Sequence, residues 1–245
     1  MDGVTIYVLI VIFVATLIRS VFGFGEALVA VPLLALRLPV KIAAPLAVLM
    51  SVTVALIIVL QDWHHVEFRS AGWLLGASVF GIPLGVLLLA RGNHRVLTAG
   101  LGGIIMAFAL HALTRRQVHP LAADNLPWLL GCGFCAGVLG GAFGMNGPPL
   151  AIYGAMRRWS AQRFRATLQG YFLPASVLGL VGYFLAGLLG REVTRYYLVS
   201  LPCAVVAILL GGVVNRRLRG DVFVRYVYAG LVVVGAILAM QAIRG

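Results

Sequence analysis

The sequence predicts an all-α polytopic membrane protein, and three observations lead there. Of its 245 residues, 62% are hydrophobic and only 11% are charged. With Tyr set aside and Gly added, the apolar share is roughly 71%, against about 45–50% in soluble domains. A water-soluble chain of this size has too little interior for that composition, since its surface must still be polar. The uncharged residues also come in long runs: 3–18, 42–61, 70–90, 96–114, 125–156, 166–190, 196–215 and 226–243. Finally, the net charge of +12 sits mostly in the short gaps between those runs. That is the pattern of loops facing anionic headgroups and a cytoplasm. No nucleic-acid partner is expected, because a binding stripe gathers its basic residues on one polar face.

A bilayer core of about 30 Å takes about 20 helical residues. The first run predicts a helix near 4–20. Met1-Asp2-Gly3 carries no basic residue and no clear cleavage site follows, so this segment is expected to stay as a first membrane helix. It meets Phe22-Gly23-Phe24-Gly25-Glu26, then a short apolar stretch from Ala27 to Leu36 that contains Pro32. The next three runs fit one crossing each. The run 125–156 does not, because one helix of that length would reach about 48 Å. Its middle, Gly140-Gly141-Ala142-Phe143-Gly144-Met145-Asn146-Gly147-Pro148-Pro149, cannot continue an ordinary helix. A helix near 126–142, a break and a short helix near 148–156 are predicted, followed by three full-length runs.

A shift of 119 residues lays Phe24-Gly25 on Phe143-Gly144, and a basic loop with three long runs follows each. Two five-element membrane repeats result, 1–118 and 119–245, each with a broken or short helix. The count is then eight full spans plus two half-helices, or ten spans. In hydrocarbon every backbone N–H and C=O must be paired, so irregular backbone survives only inside protein or beside water. A helix that restarts after a break offers free N–H groups and the positive end of its dipole, which suits an anion. Interrupted helices at matching places in two halves are the best sequence pointer to a transporter's substrate site. A single Gly/Pro break more often serves close helix packing; two in register favour the site.

These residues carry a resemblance. Gly23-Phe24-Gly25 with Pro32-Leu33-Leu34, Gly140-Gly141-Ala142-Phe143-Gly144 with Pro148-Pro149-Leu150, and the segment Arg163-Phe164-Arg165-Ala166-Thr167-Leu168-Gln169-Gly170 resemble the sulfite exporter TauE/SafE family. This is also called the toluenesulfonate-uptake permease family. The likeness covers essentially the whole chain. It departs where the family's three-Gly run is replaced by Gly25-Glu26-Ala27 and Gly144-Met145-Asn146. The resemblance implies a carrier of small sulfur-containing anions such as sulfite, sulfoacetate or other sulfonates.

The residues expected to bind that small anionic substrate are Arg19, Gly25, Glu26, Phe143, Gly144, Asn146, Gly147, Thr167 and Gln169. Glu26 is the acidic residue expected at membrane depth, where a carboxylate is costly and usually marks a proton or ion path. Its alternative is an interfacial pair with Arg19 and the helix dipole. Arg19 either offers two donors to an oxyanion or snorkels to the headgroups. Asn146 brings a donor and an acceptor to a break whose Pro148 and Pro149 have no N–H. Thr167 and Gln169 face the cavity or serve as interhelical glue. Tyr153 and Trp159 read as packing or interfacial residues. Arg157, Arg158, Arg163 and Arg165 read as a cytoplasmic loop.

The rival class is a transmembrane thiol–disulfide electron carrier using Cys132 and Cys135, which share a helix face at i and i+3. Against it, no second Cys pair exists, and buried Cys commonly acts as a small hydrophobe. No phosphate-binding loop, zinc motif or Gly-x-Ser-x-Gly is present, so a secondary transporter with no cofactor, not an enzyme, is expected. Its place is the cell (inner) membrane among lipid, with both termini periplasmic and a homodimer as the expected assembly. Ten spans make the two halves inverted; re-entrant half-helices make them parallel.

Overall fold

The computed structural model describes residues 2–22, 25–62, 68–114, 125–157, 161–215 and 221–244. Among them are ten helices: α1 (Gly3–Phe22), α2 (Glu26–Ala35), α3 (Val40–Asp62), α4 (Phe68–Arg91), α5 (His94–Thr114), α6 (Leu126–Phe143), α7 (Gly147–Met156), α8 (Ala161–Leu185), α9 (Arg191–Asn215) and α10 (Asp221–Arg244). Six of them, α1, α3, α4, α5, α6 and α9, are long and apolar enough to cross a membrane. The architecture is that of a polytopic helical membrane protein. α2 and α7 have ten residues each, about 15 Å at the helical rise, which is half a bilayer core.

Local chemistry explains the two breaks. α6 opens on Asn125, whose side chain accepts from the Trp128 N–H at 3.3 Å. It closes on Gly144, held at φ 70, a left-handed conformation that costs glycine nothing. Gly144 N–H donates to Gly140 O at 2.8 Å and Met145 N–H to Leu139 O at 3.2 Å, which turns the chain and satisfies two terminal carbonyls. Pro148 and Pro149 then sit in the first turn of α7, where a missing N–H forfeits no helical bond. α2 likewise begins after a left-handed glycine, Gly25 at φ 96, with no side chain capping it.

Both short helices fold back. Arg19 meets Glu26, and Tyr7 Oη donates to Leu33 O at 2.5 Å, so α2 runs antiparallel along α1. α2 is buried over most of its surface, enclosed by α1, α3, α5 and α10. A short link then starts α3 on the face where α1 began. Lys41 Nζ reaches Ala90 O at 2.9 Å, which puts the start of α3 beside the end of α4. α6 runs parallel to α4 through small residues. A Cβ added at Gly133 would lie 2.7 Å from Leu74 O, one at Gly137 2.7 Å from Ser78 O, and one at Gly141 2.8 Å from Val86 N. α8 is also parallel to α4, with Ser78 against Tyr171 and Val86 against Gly182. α9 follows α1, with Leu9 against Cys203 and Ser20 against Gly211. α5 and α10 cross antiparallel at Gly102 and Gly235.

These directions correct one expectation. Re-entrant half-helices make the halves parallel only where α1 and α6 emerge beyond the break. Instead α2 and α7 return toward the faces where α1 and α6 started, and α1 and α6 run in opposite directions. Two helical hairpins therefore enter from opposite faces. The two sequence halves also interleave, since α4 packs on α6, α1 on α9 and α5 on α10.

Candidate functional site

The tips of the two hairpins meet in a cavity of about 30 Å3. On that measure it holds a water or two. Gly25, Glu26, Ala27 and Leu28 line it from the start of α2, and Gly144, Met145, Asn146, Gly147 and Pro148 from the break before α7. Arg19 of α1, Ser51 of α3 and Phe172 of α8 complete the wall. Ser51 and Phe172 lie near the midpoints of their helices. The starts of α2 and α7 thus face one small space, α2 with its unladdered N–H groups and α7, whose Pro148 and Pro149 have none, with that of Gly147.

Arg19 is 2% exposed and Glu26 likewise 2%. Nη1 of Arg19 is 2.6 Å from Glu26 Oε2 and 2.6 Å from Ser51 Oγ. Thr16 Oγ1 donates to the other carboxylate oxygen at 3.3 Å. The Arg19 guanidinium also lies over the Phe172 ring, 5.7 Å from its centroid. The remaining donors of the guanidinium, on Nε and Nη2, are buried and have no hydrogen-bond partner among the described residues. A buried, unpaired N–H costs the full loss of its hydration, so this edge is a standing demand for an acceptor. Neither residue snorkels: the Arg19–Glu26 pair forms in the interior, not at an interface.

Asn146 is buried and packs so closely on α6 that a Cβ at Gly140 would come within 2.7 Å of its side chain. The Tyr171 hydroxyl sits against Asn146 and is 2.6 Å from Ser78 Oγ, tying the second break to α4 and α8. Tyr183 Oη donates to Gly140 O at 3.3 Å just before the break.

Of the residues singled out from sequence, Arg19, Gly25, Glu26, Gly144, Asn146 and Gly147 come together on the cavity. Phe143 does not: it is buried and its ring is directed at α5, 3.8 Å from where a Gly100 Cβ would stand. Thr167 is fully buried on α8, about 7.5 Å of helical rise before Phe172, and is not among the lining residues. The Gln169 side chain lies outside the described residues. Sequence reasoning missed Ser51 and Phe172. Ser51 carried a weak signal as a lone hydroxyl inside an apolar run; Phe172 carried none. Cys132 is buried and Cys135 exposed, and both thiols are free.

Fold and site together define an integral membrane protein with a charged interior cavity between two broken helices. The sequence model of the sulfite exporter TauE/SafE family matches residues 8–238, and the chain belongs to that family of membrane transporters. It is also similar to the protein named "Probable membrane transporter protein MJ0441" of Methanocaldococcus jannaschii. The two are 24% identical over 212 residues, covering 81% of this chain and 79% of the relative. No solved structure matches the chain significantly.

Proposed function

We propose that this protein is a secondary transporter of small sulfur-containing anions, such as sulfite, sulfoacetate and other sulfonates, with the cavity at Arg19 as its substrate site. The observation that carries this reading is the free Nε/Nη2 edge of Arg19, buried where two half-helices begin. A guanidinium edge matches two oxygens of a sulfonate or sulfite in a fork. The N-termini of α2 and α7 add N–H groups and partial positive charge. The Asn146 amide supplies a further donor. The small volume suits a compact head group, and longer substrates enter only with opening of the hairpin tips.

Transport follows from an inverted repeat of 1–118 and 119–245, read as alternating access. The packing supports this relation. Matching α1 to α6, α2 to α7 and so on turns the α1–α9 contact into α6–α4 and the α3–α9 contact into α8–α4; α3–α8 and α5–α10 map onto themselves. The 119-residue shift lays Tyr197, which bonds Thr53 at 2.8 Å, on Ser78, which bonds Tyr171. The face opposite the start of α1 carries Arg157 after α7 and the end of α9 at Asn215, and the sequence next to both is Arg-rich. By the positive-inside rule that face is cytoplasmic in a cell inner membrane, and the termini are periplasmic. The family's description as sulfite exporters favours outward movement, although the gradients set the direction.

The test is flux in proteoliposomes with sulfite and sulfoacetate, with acetate as the carboxylate control. Wild-type protein is expected to move the sulfur anions, and Arg19→Ala to abolish that movement. A folded preparation that carries none of them sinks the proposal.

A further inference from the structure

The guanidinium of Arg19 is used asymmetrically. Its Nη1 bears two N–H groups, and both have partners, Glu26 Oε2 and Ser51 Oγ. The Nε/Nη2 edge has none. An arriving anion therefore finds a vacant fork and need not compete with Glu26 for the same nitrogen. The charge count is the difficulty. Arg19 and Glu26 cancel, and Ser51, Met145, Asn146 and Phe172, which face them from α3, the α7 break and α8, are not ionisable. Among the described residues no second cation lines the cavity to offset a second anion, and the two half-helix ends offer only partial charge. A carboxylate and a substrate anion on opposite sides of one guanidinium then repel each other in a place almost closed to water.

We infer that Glu26 and the substrate anion share Arg19 by its two edges, and that the anion loads only together with a proton on Glu26, giving electroneutral proton–anion cotransport. This rests on the carrier reading above and assigns its coupling. The proton comes from water on the loading side and binds Glu26 Oε1. Oε2 keeps its bond from Arg19, and the Thr16 hydroxyl turns from donor to acceptor for the new O–H. After the hairpin tips rearrange, the anion leaves Arg19 and the proton leaves Oε1 on the other side. One negative and one positive charge have crossed, and nothing is oxidised or reduced. Thr16 thus has a stated duty, serving both protonation states of Glu26.

The experiment uses the full chain in proteoliposomes with a pH-reporting dye inside and a potassium–valinomycin clamp. The probes are sulfite and methanesulfonate, the latter because its charge does not change across the pH range used. Inward anion gradients are expected to acidify the lumen by one proton per methanesulfonate, at a rate indifferent to the clamped potential. Glu26→Gln is expected to retain stabilisation by the anion against heating, lose the acidification and make the remaining flux potential-dependent. Arg19→Lys keeps the charge but loses the fork, and its KM for anion should rise roughly tenfold or more. Methanesulfonate flux without proton movement in the wild type overturns the coupling and leaves the carrier reading standing. If neither probe moves nor stabilises folded wild-type protein, the carrier reading falls and the coupling falls with it. The wild-type stoichiometry decides the question even if the Gln variant does not fold.

Discussion

Removing the Glu26 carboxylate alone leaves the Arg19 guanidinium in a space nearly closed to solvent, which is why this pair is the place to begin. Breaking one partner of a buried ion pair typically costs about 3–5 kcal/mol, whereas replacing both by apolar groups is often neutral. Arg19→Met and Glu26→Leu are each expected to lower the unfolding midpoint in detergent. The double variant is expected to recover most of that loss while carrying no anion. Thermal unfolding of the three variants beside wild type checks this, and additive losses would show that the two side chains do not depend on each other. Asn146 offers a second test. Asn146→Ala removes one donor from the cavity and is expected to weaken anion binding by about 1 kcal/mol, roughly fivefold in KM. Gly140→Ala pushes a methyl to within 2.7 Å of the Asn146 side chain and should reproduce that defect without touching the cavity directly.

The half-helices and the close helix pairs behave differently as elements. α2 and α7 begin at the cavity and are short, but α2 is enclosed by four helices while α7 packs mainly on α6 and α8, so the start of α7 is the freer to rearrange. α4 and α6, by contrast, are locked along Gly133, Gly137 and Gly141, where backbone meets backbone. Such small-residue seams let membrane helices approach closely where lipid supplies no hydrophobic drive between them. Gly137→Leu is expected to destabilise the fold by several kcal/mol or to prevent expression. Gly76→Leu, on α4 and with nothing within 4 Å of its added Cβ, is expected to be near neutral. Comparing their unfolding midpoints tests whether α4–α6 is one rigid unit against which the hairpin tips move. The sequence announced these helices through uncharged runs of the right length and through the Gly and Pro clusters between them. It could not announce which helices pair, because a Gly-rich seam looks the same whichever neighbour it meets.

For the whole molecule, the direction of each helix decides the relation between the halves. α1 and α6 enter from opposite faces, so Asp2, Leu36 and Gly187 are expected on one side of the membrane and Arg157 on the other. Single-Cys reporters at these positions in a Cys-free background, labelled with an impermeant maleimide in right-side-out and inverted vesicles, give the answer. Leu36 labelling with Arg157 would refute the folding-back of α2 and α7.

What the amino-acid sequence determined by itself was solvent and punctuation. A chain this apolar must bury itself in lipid. Its clusters of glycine, with Pro148 and Pro149 beside the second, favour interrupting two helices, whereas single prolines such as Pro32, Pro45 and Pro83 stay inside theirs. Arg19, Glu26 and Asn146 stood out for the same reason: polar groups in apolar runs are costly. Tertiary structure alone decided that the breaks fold back instead of running through. It brought Ser51 and Phe172 from distant helices to the same cavity, and sent Phe143 and Thr167 elsewhere. It also left one edge of Arg19 without a partner. Those outcomes depend on which helix faces which, and the energy that selects among such pairings is spread over many small contacts between residues far apart in the chain.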